Sequence, residues 1–283
     1  KGEYLALFYT DFFPRTGKRN GAWMTSYKEQ YTDSEGKDSR PHISIVCNFT
    51  RPTASAPSLL TFNELTTLFH EFGHALHGML SKVTYPSLSG TNVARDFVEL
   101  PSQLMENWCY EEETLRLFAT HYQTGEPLPI EWVQKIKEAG VFMEGLLSVR
   151  QLNFGFLDMA WHTYPHLERL ESVRTFEKEA TKATQLYPPI ETMCISPAFS
   201  HIFSGGYAAG YYSYKWSEVL DADAFEVFKE AGIFNTEVAT RFRGEVLSKG
   251  SSEKEMTLYK RFRGKEPSID ALMRRAGFDL DKR

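Results

Sequence analysis

His70 and His74 stand one helical turn apart, with Glu71 directly after the first histidine, forming the pattern His-Glu-x-x-His. Positions i and i+4 of an α-helix project on one face, so both imidazoles can reach a single ion. A tetrahedral Zn²⁺ held in this way keeps room for a third protein ligand and a water, and Glu71 lies beside that water as a candidate base. Downstream, Glu99 and Glu106 sit at heptad spacing and share a face; both are candidates for the third ligand. His77 lies on the metal face too. A fourth ligand there would close the site to water, so a position behind the ligands or at the surface is expected for it.

The element that must position the pair is a helix. Phe62, Leu65, Leu68, Phe69, Phe72, Leu76 and Met79 recur at spacings of three and four and make a broad apolar stripe flanked by the histidines. Thr61 followed by Glu64 reads as a capping box that starts it. Gly73 inside such a helix costs roughly 1 kcal/mol relative to Ala, and close approach of another backbone is the expected compensation.

Before this helix, residues 41–49 alternate, with Ile43, Ile45, Cys47 and Phe49 on one face, and read as a strand. A peptide could add to the edge of such a strand, and an ordinary hairpin strand fits equally well. After a turn-rich loop at 86–92, helices are expected at about 95–121, 129–162, 166–186, 208–231, 235–248, 252–262 and 267–276. The fold class is mainly α, with a small β-sheet beside the metal helix. His162 and His166 repeat the i, i+4 spacing, but Pro165 interrupts the turn and no acid follows His162, so this pair reads as a helix end.

A second informative segment runs His201-Ile202-Phe203-Ser204-Gly205-Gly206-Tyr207-Ala208-Ala209-Gly210-Tyr211-Tyr212-Ser213-Tyr214. Gly205 and Gly206 permit backbone conformations closed to other residues, which suits a loop that folds over a bound molecule. Clustered tyrosines are ordinarily core, but beside a metal motif their phenols become candidate donors to a developing oxyanion.

Composition narrows the classes. The formal charge is -5 and the basic residues are dispersed, which leaves no electrostatic case for nucleic acid. Arg241-Phe242-Arg243-Gly244 and Arg261-Phe262-Arg263-Gly264 read as helix ends with terminal cations and a glycine stop. The three cysteines are widely spaced and form no Cys-x-x-Cys, so a disulfide framework is not indicated and a reducing, cytoplasmic setting fits. No apolar run approaches a membrane span. The absence of an initiating Met suggests a fragment or processed chain. With 21 Phe and 14 Tyr, a large core or an aromatic-lined cleft is expected.

Three runs in order, 69–77, 88–103 and 205–214, together resemble the thimet oligopeptidase family, closest to its bacterial peptidyl-dipeptidase and oligopeptidase A branches. The resemblance covers nearly all of residues 1–283 and implies a zincin-like metallopeptidase catalytic domain with no internal boundary. It makes His70, His74 and Glu99 the ligands of one zinc ion per chain and Glu71 the base. It makes His201, Tyr207 and Tyr214 transition-state stabilisers, with Tyr211 and Gly206 as substrate contacts. Asp96, Gln103 and Glu106 remain candidates to orient the ligands. Family members are much longer, so the resemblance also implies a missing N-terminal part of the same polypeptide as partner and short unstructured peptides as substrates. Endopeptidase and dipeptidyl-carboxypeptidase action stay open. The rival reading, a non-catalytic helical interaction domain with a structural zinc, calls for four protein ligands.

Overall fold

In a computed structural model the chain is described at residues 2–166 and 169–278. The N-terminal part forms five strands: β1 (Leu7–Asp11), β2 (Trp23–Lys28), β3 (Tyr31–Thr32), β4 (Asp38–Ser39) and β5 (His42–Val46). The three-stranded sheet has the order β1-β5-β2. β1 runs parallel to β5, with Leu7 opposite His42, and β2 runs antiparallel, with Trp23 opposite Val46. β3 and β4 make a separate two-stranded hairpin. The expected strand is therefore present but central. Its backbone groups pair on both sides, so β5 offers no edge to a peptide, and the edge-strand possibility raised for it is corrected.

Helix α1 (Phe62–Met79) carries the His-Glu-x-x-His pattern. Its capping box is formed: the Thr61 hydroxyl accepts from the Glu64 N–H, and the Glu64 carboxylate accepts from the Thr61 N–H at 2.8 Å. Against the sheet, Ala75 and Met79 of α1 pack on Ile43 and Ile45, with Phe8 and Phe72 closing the seam. Gly73 faces α2 (Leu100–Glu106). A Cβ there would lie 2.5 Å from both the Pro101 carbonyl oxygen and the Ser102 Cα, so the expected close backbone approach is present.

The remaining helices are α3 (Glu112–Phe118), α4 (Ile130–Gly140), α5 (Glu144–Thr163), α6 (Val173–Ala180), α7 (Ser200–Phe203), α8 (Ser213–Ala231), α9 (Thr236–Phe242), α10 (Glu255–Arg263) and α11 (Asp270–Arg275). The main core joins α2 to α8, α9 and α10 through Leu100, Leu104, Phe225, Phe228, Phe242 and Phe262. The class is mainly α, as expected.

Several long helices expected from periodicity are broken by backbone features. Pro101 sits in the first turn of α2, where its missing N–H costs nothing, and the chain before it turns instead of coiling. Glu111 is extended and separates α3 from the 3-10 turn Asn107–Tyr110. Met143 adopts φ 58° and separates α4 from α5. Within the expected helix at 166–186, α6 and a short 3-10 turn at Lys182–Thr184 form, separated from α5 by a stretch of which residues 167–168 lie outside the described residues. Residues 208–212 form turns, so α8 starts later than expected. α5 ends just after His162, which bears out the helix-end reading.

Candidate active site

One ligand atom each from His70, His74 and Glu99 lie within 4.8 Å of one another. Glu99 stands at the N-cap of α2, and the contact at Gly73 brings that helix end onto the histidine face of α1. Glu99 Oε2 is 3.3 Å from His70 Nε2 and 3.1 Å from His74 Nε2. The two imidazoles stand edge to face at 4.9 Å. Glu99 is 1% exposed, and a buried carboxylate must be partnered. Burial alone would raise its pKa, but His74 and His70 hold it well below the ordinary range.

Among the three residues left open as orienting groups, the contacts divide cleanly. His70 Nδ1 donates to Glu106 Oε1 at 2.6 Å, which fixes the ring and turns Nε2 toward the cluster. Burial opposes a charge on His70, but the bonds to Glu106 and Glu99 outweigh it and lift the pKa to about 10. Gln103 donates to the Tyr214 carbonyl, and Asp96 accepts from the Tyr212 hydroxyl at 2.7 Å. The structure adds a residue the sequence did not flag: the Ser102 hydroxyl lies 2.9 Å from Glu99 Oε2.

Glu71 is buried, and its Oε2 has no hydrogen-bond partner. Burial raises its pKa, partly offset by His70 and His74. His77 is fully buried, and neither ring nitrogen has a partner, so a surface position for it is excluded. Burial, then the nearby His74, push its pKa down to about 3.

The glycine-rich segment covers this cluster. Tyr207 donates to Glu99 Oε1 at 2.6 Å, and its ring stacks on Tyr214 at 5.0 Å. Burial, then Glu99, keep both phenols protonated far above the ordinary tyrosine range. His201, on α7, stands 6.1 Å from the Tyr207 ring and 6.2 Å from the Tyr214 ring. Tyr211 packs between Phe199 and Phe154 and lies 5.2 Å from Tyr214. Gly205 is required by contact, because a Cβ would lie 2.9 Å from the His201 backbone, and Gly206 takes φ 81°. Arg95 lies over the Tyr207 ring at 4.8 Å, a cation–π contact that the sequence reading missed. All nine residues expected at the site thus fall in one region, joined through Glu99 and the tyrosines.

The donor set of two imidazole nitrogens and one carboxylate oxygen, with an unpartnered buried carboxylate adjacent, fits Zn²⁺ in a catalytic rather than a four-ligand structural arrangement. The class is a largely helical fold in which α1 and the start of α2 bring a His-Glu-x-x-His pair and a carboxylate into one candidate metal cluster. The chain belongs to Peptidase family M3, which residues 1–278 match.

Among curated relatives, oligopeptidase A of Escherichia coli (strain K12) is 45% identical over 97% of this chain and 41% of its own length. Dipeptidyl carboxypeptidase of the same organism is 42% identical over 99% of this chain and 41% of its own length. The chain therefore spans about two fifths of the relatives it matches. A solved structure of PZ peptidase A with an inhibitor shares the fold at TM-score 0.58 and 18% identity, over 95% of this chain and 42% of that one. Among the described residues no helix is long and apolar enough to cross a membrane.

Proposed function

We propose that this chain is the catalytic part of a zinc peptidase that hydrolyses bonds in short, unstructured peptides. The observation that carries the reading is the convergence of His70, His74 and Glu99 beside a buried, unpartnered Glu71 and beneath a stacked tyrosine pair. His70, His74 and Glu99 hold one zinc ion. When bound, zinc supplies a Lewis acid that polarises a peptide carbonyl and acidifies water.

The protein's own groups do the rest. Glu71 Oε2 takes a proton from the attacking water and returns it to the departing amine, a task that suits a carboxylate whose pKa burial has raised. Tyr214 and Tyr207, kept protonated, donate hydrogen bonds where negative charge develops, and His201 supports them from α7. Gly206 and Tyr211 meet the substrate along the turn. A structural-zinc domain is disfavoured because the cluster supplies three ligands and keeps Glu71 intact.

The partner is the remainder of a longer polypeptide, whose preceding part forms the opposite wall of a substrate channel. Two observations support this: the chain spans about 41% of its relatives' length, and α4 and α5 expose Ile130, Trp132, Leu147, Leu152 and Phe156. Relatives named for oligopeptidase and for dipeptidyl carboxypeptidase action are nearly equally similar, so product analysis must choose. Release of dipeptides only from peptides with a free C-terminus marks the exopeptidase.

Glu71→Gln is the central test. It should keep stoichiometric zinc while hydrolysis falls by roughly 10² or more, because it removes the base and no ligand. Full metal with wild-type rates would refute the mechanism.

A further inference from the structure

Asp158 lies on α5, far from the metal motif in sequence, and is fully buried. Its Oδ1 accepts from the Ala209 N–H at 2.9 Å and its Oδ2 from the Tyr211 N–H at 2.8 Å. His162 Nδ1, one turn along the same helix, bonds the Asp158 main-chain carbonyl at 2.9 Å and lies 2.8 Å from Oδ1. The carboxylate thus reads two backbone amides of the turn between Tyr207 and Tyr214, and a histidine backs it.

That turn needs holding. Ala209 has φ 50°, in the left-handed region that an alanine enters only under strain, and Gly206 has φ 81°. Tyr207, two residues before Ala209, and Tyr214, five after it, carry the phenols beside Glu99, so a change at Ala209 would swing them away from the cluster. Buried charges are retained where several hydrogen bonds compensate them, and Asp158 spends both oxygens on this one turn.

We infer that Asp158, backed by His162, is a positioning residue: it locks the strained turn at Ala209 so that Tyr207 and Tyr214 stay beside the Glu99 cluster. It touches neither metal nor substrate. This rests on the peptidase reading above, and the test keeps the two separable.

The experiment uses the longest natural polypeptide that contains this chain. Asp158→Asn leaves one carbonyl oxygen to serve two amides. On a short fluorogenic peptide kcat should fall on the order of 10- to 100-fold, since small misplacements of catalytic groups carry losses of that size. KM should rise by less than kcat falls, a rise being expected because Gly206 and Tyr211 of the same turn meet the substrate. On a Tyr207→Phe/Tyr214→Phe background the same substitution should add little to the loss in kcat, because it acts through those two phenols. Ala209→Gly combined with Asp158→Asn should recover much of the loss, because glycine enters the left-handed region unaided.

Amide hydrogen exchange at Ala209 and Tyr211 should quicken by roughly tenfold or more in Asp158→Asn, a readout that needs no activity. It separates failure of the positioning role from failure of the peptidase reading, which Glu71→Gln tests alone. Should Asp158→Asn not fold, His162→Gln carries the same comparisons. Unchanged exchange, full additivity with Tyr207→Phe/Tyr214→Phe, or no recovery by Ala209→Gly would overturn the assignment.

Discussion

Tyr207 donates its phenolic hydrogen to Glu99 Oε1 at 2.6 Å, so the donor assigned to an oxyanion is bonded here to the carboxylate assigned to the metal. A phenol has one hydrogen to give, and serving an oxyanion means releasing Glu99. Gly206, at φ 81° beside it, supplies the freedom for that exchange. Tyr214 has no such tie to Glu99 and stacks behind Tyr207.

The two tyrosines should therefore separate on substitution. Tyr207→Phe is expected to weaken zinc affinity by about 10-fold, because it frees a ligand's orienting bond, and to lower kcat as well. Tyr214→Phe should lower kcat by roughly 10² with metal affinity and KM unchanged. Chelator competition and steady-state kinetics check both; equal metal affinity in Tyr207→Phe and wild type would remove the orienting role.

Glu99 and Glu106 should rank differently. Glu99→Gln is expected to lose zinc outright, whereas Glu106→Gln, which orients His70 Nδ1, should weaken binding by about 10- to 100-fold. Metal content after graded chelator treatment reads the order. The reverse ranking would make Glu106 the ligand.

Gly73→Ala should destabilise the protein even though alanine favours helix by roughly 1 kcal/mol. The added carbon would meet Pro101 and Ser102 backbone atoms at 2.5 Å, and pushing α2 away costs about 1–3 kcal/mol and moves Glu99. A lower Tm together with weaker zinc binding is expected; a raised Tm would contradict the tight helix contact.

His77 should make stability pH-dependent in acid. Its pKa is near 3 in the folded chain against a reference of 6.5, because burial, then His74, disfavour the cation. Below pH 6.5 the unfolded chain therefore binds a proton that the folded chain refuses. This contribution is fully present above that pH and is lost as pH falls toward 3, at up to about 1.4 kcal/mol per pH unit. Urea unfolding at several pH values with chelator present should show a shallower acid slope in His77→Leu; parallel slopes would be the contrary result.

Residues 1–283 alone should self-associate and discriminate poorly by peptide length. Exposed Trp132, Leu147 and Phe156 offer apolar surface, and a site open to water loses electrostatic strength through a higher effective dielectric. Light scattering, and cleavage of short peptides against an unfolded protein, should differ from those of a longer chain. Equal activity with the same sharp length limit would show that no further wall is needed.

What the sequence determined by itself was local. The shared face of His70 and His74, the Thr61–Glu64 cap, the closeness demanded at Gly73 and the mainly helical class all follow from spacing within a few turns. Resemblance along three motifs supplied Glu99 and the tyrosines. Only the packed structure decided that Glu106 takes the Nδ1 hydrogen of His70, that Ser102 and Tyr207 share Glu99, that β5 is central, and that Asp158 anchors the tyrosine turn. Apart from the short Ser102–Glu99 link, these contacts join groups far apart in the chain. Hydrophobic periodicity records which face of a helix is buried, but not which partner's carboxylate or amide meets it there.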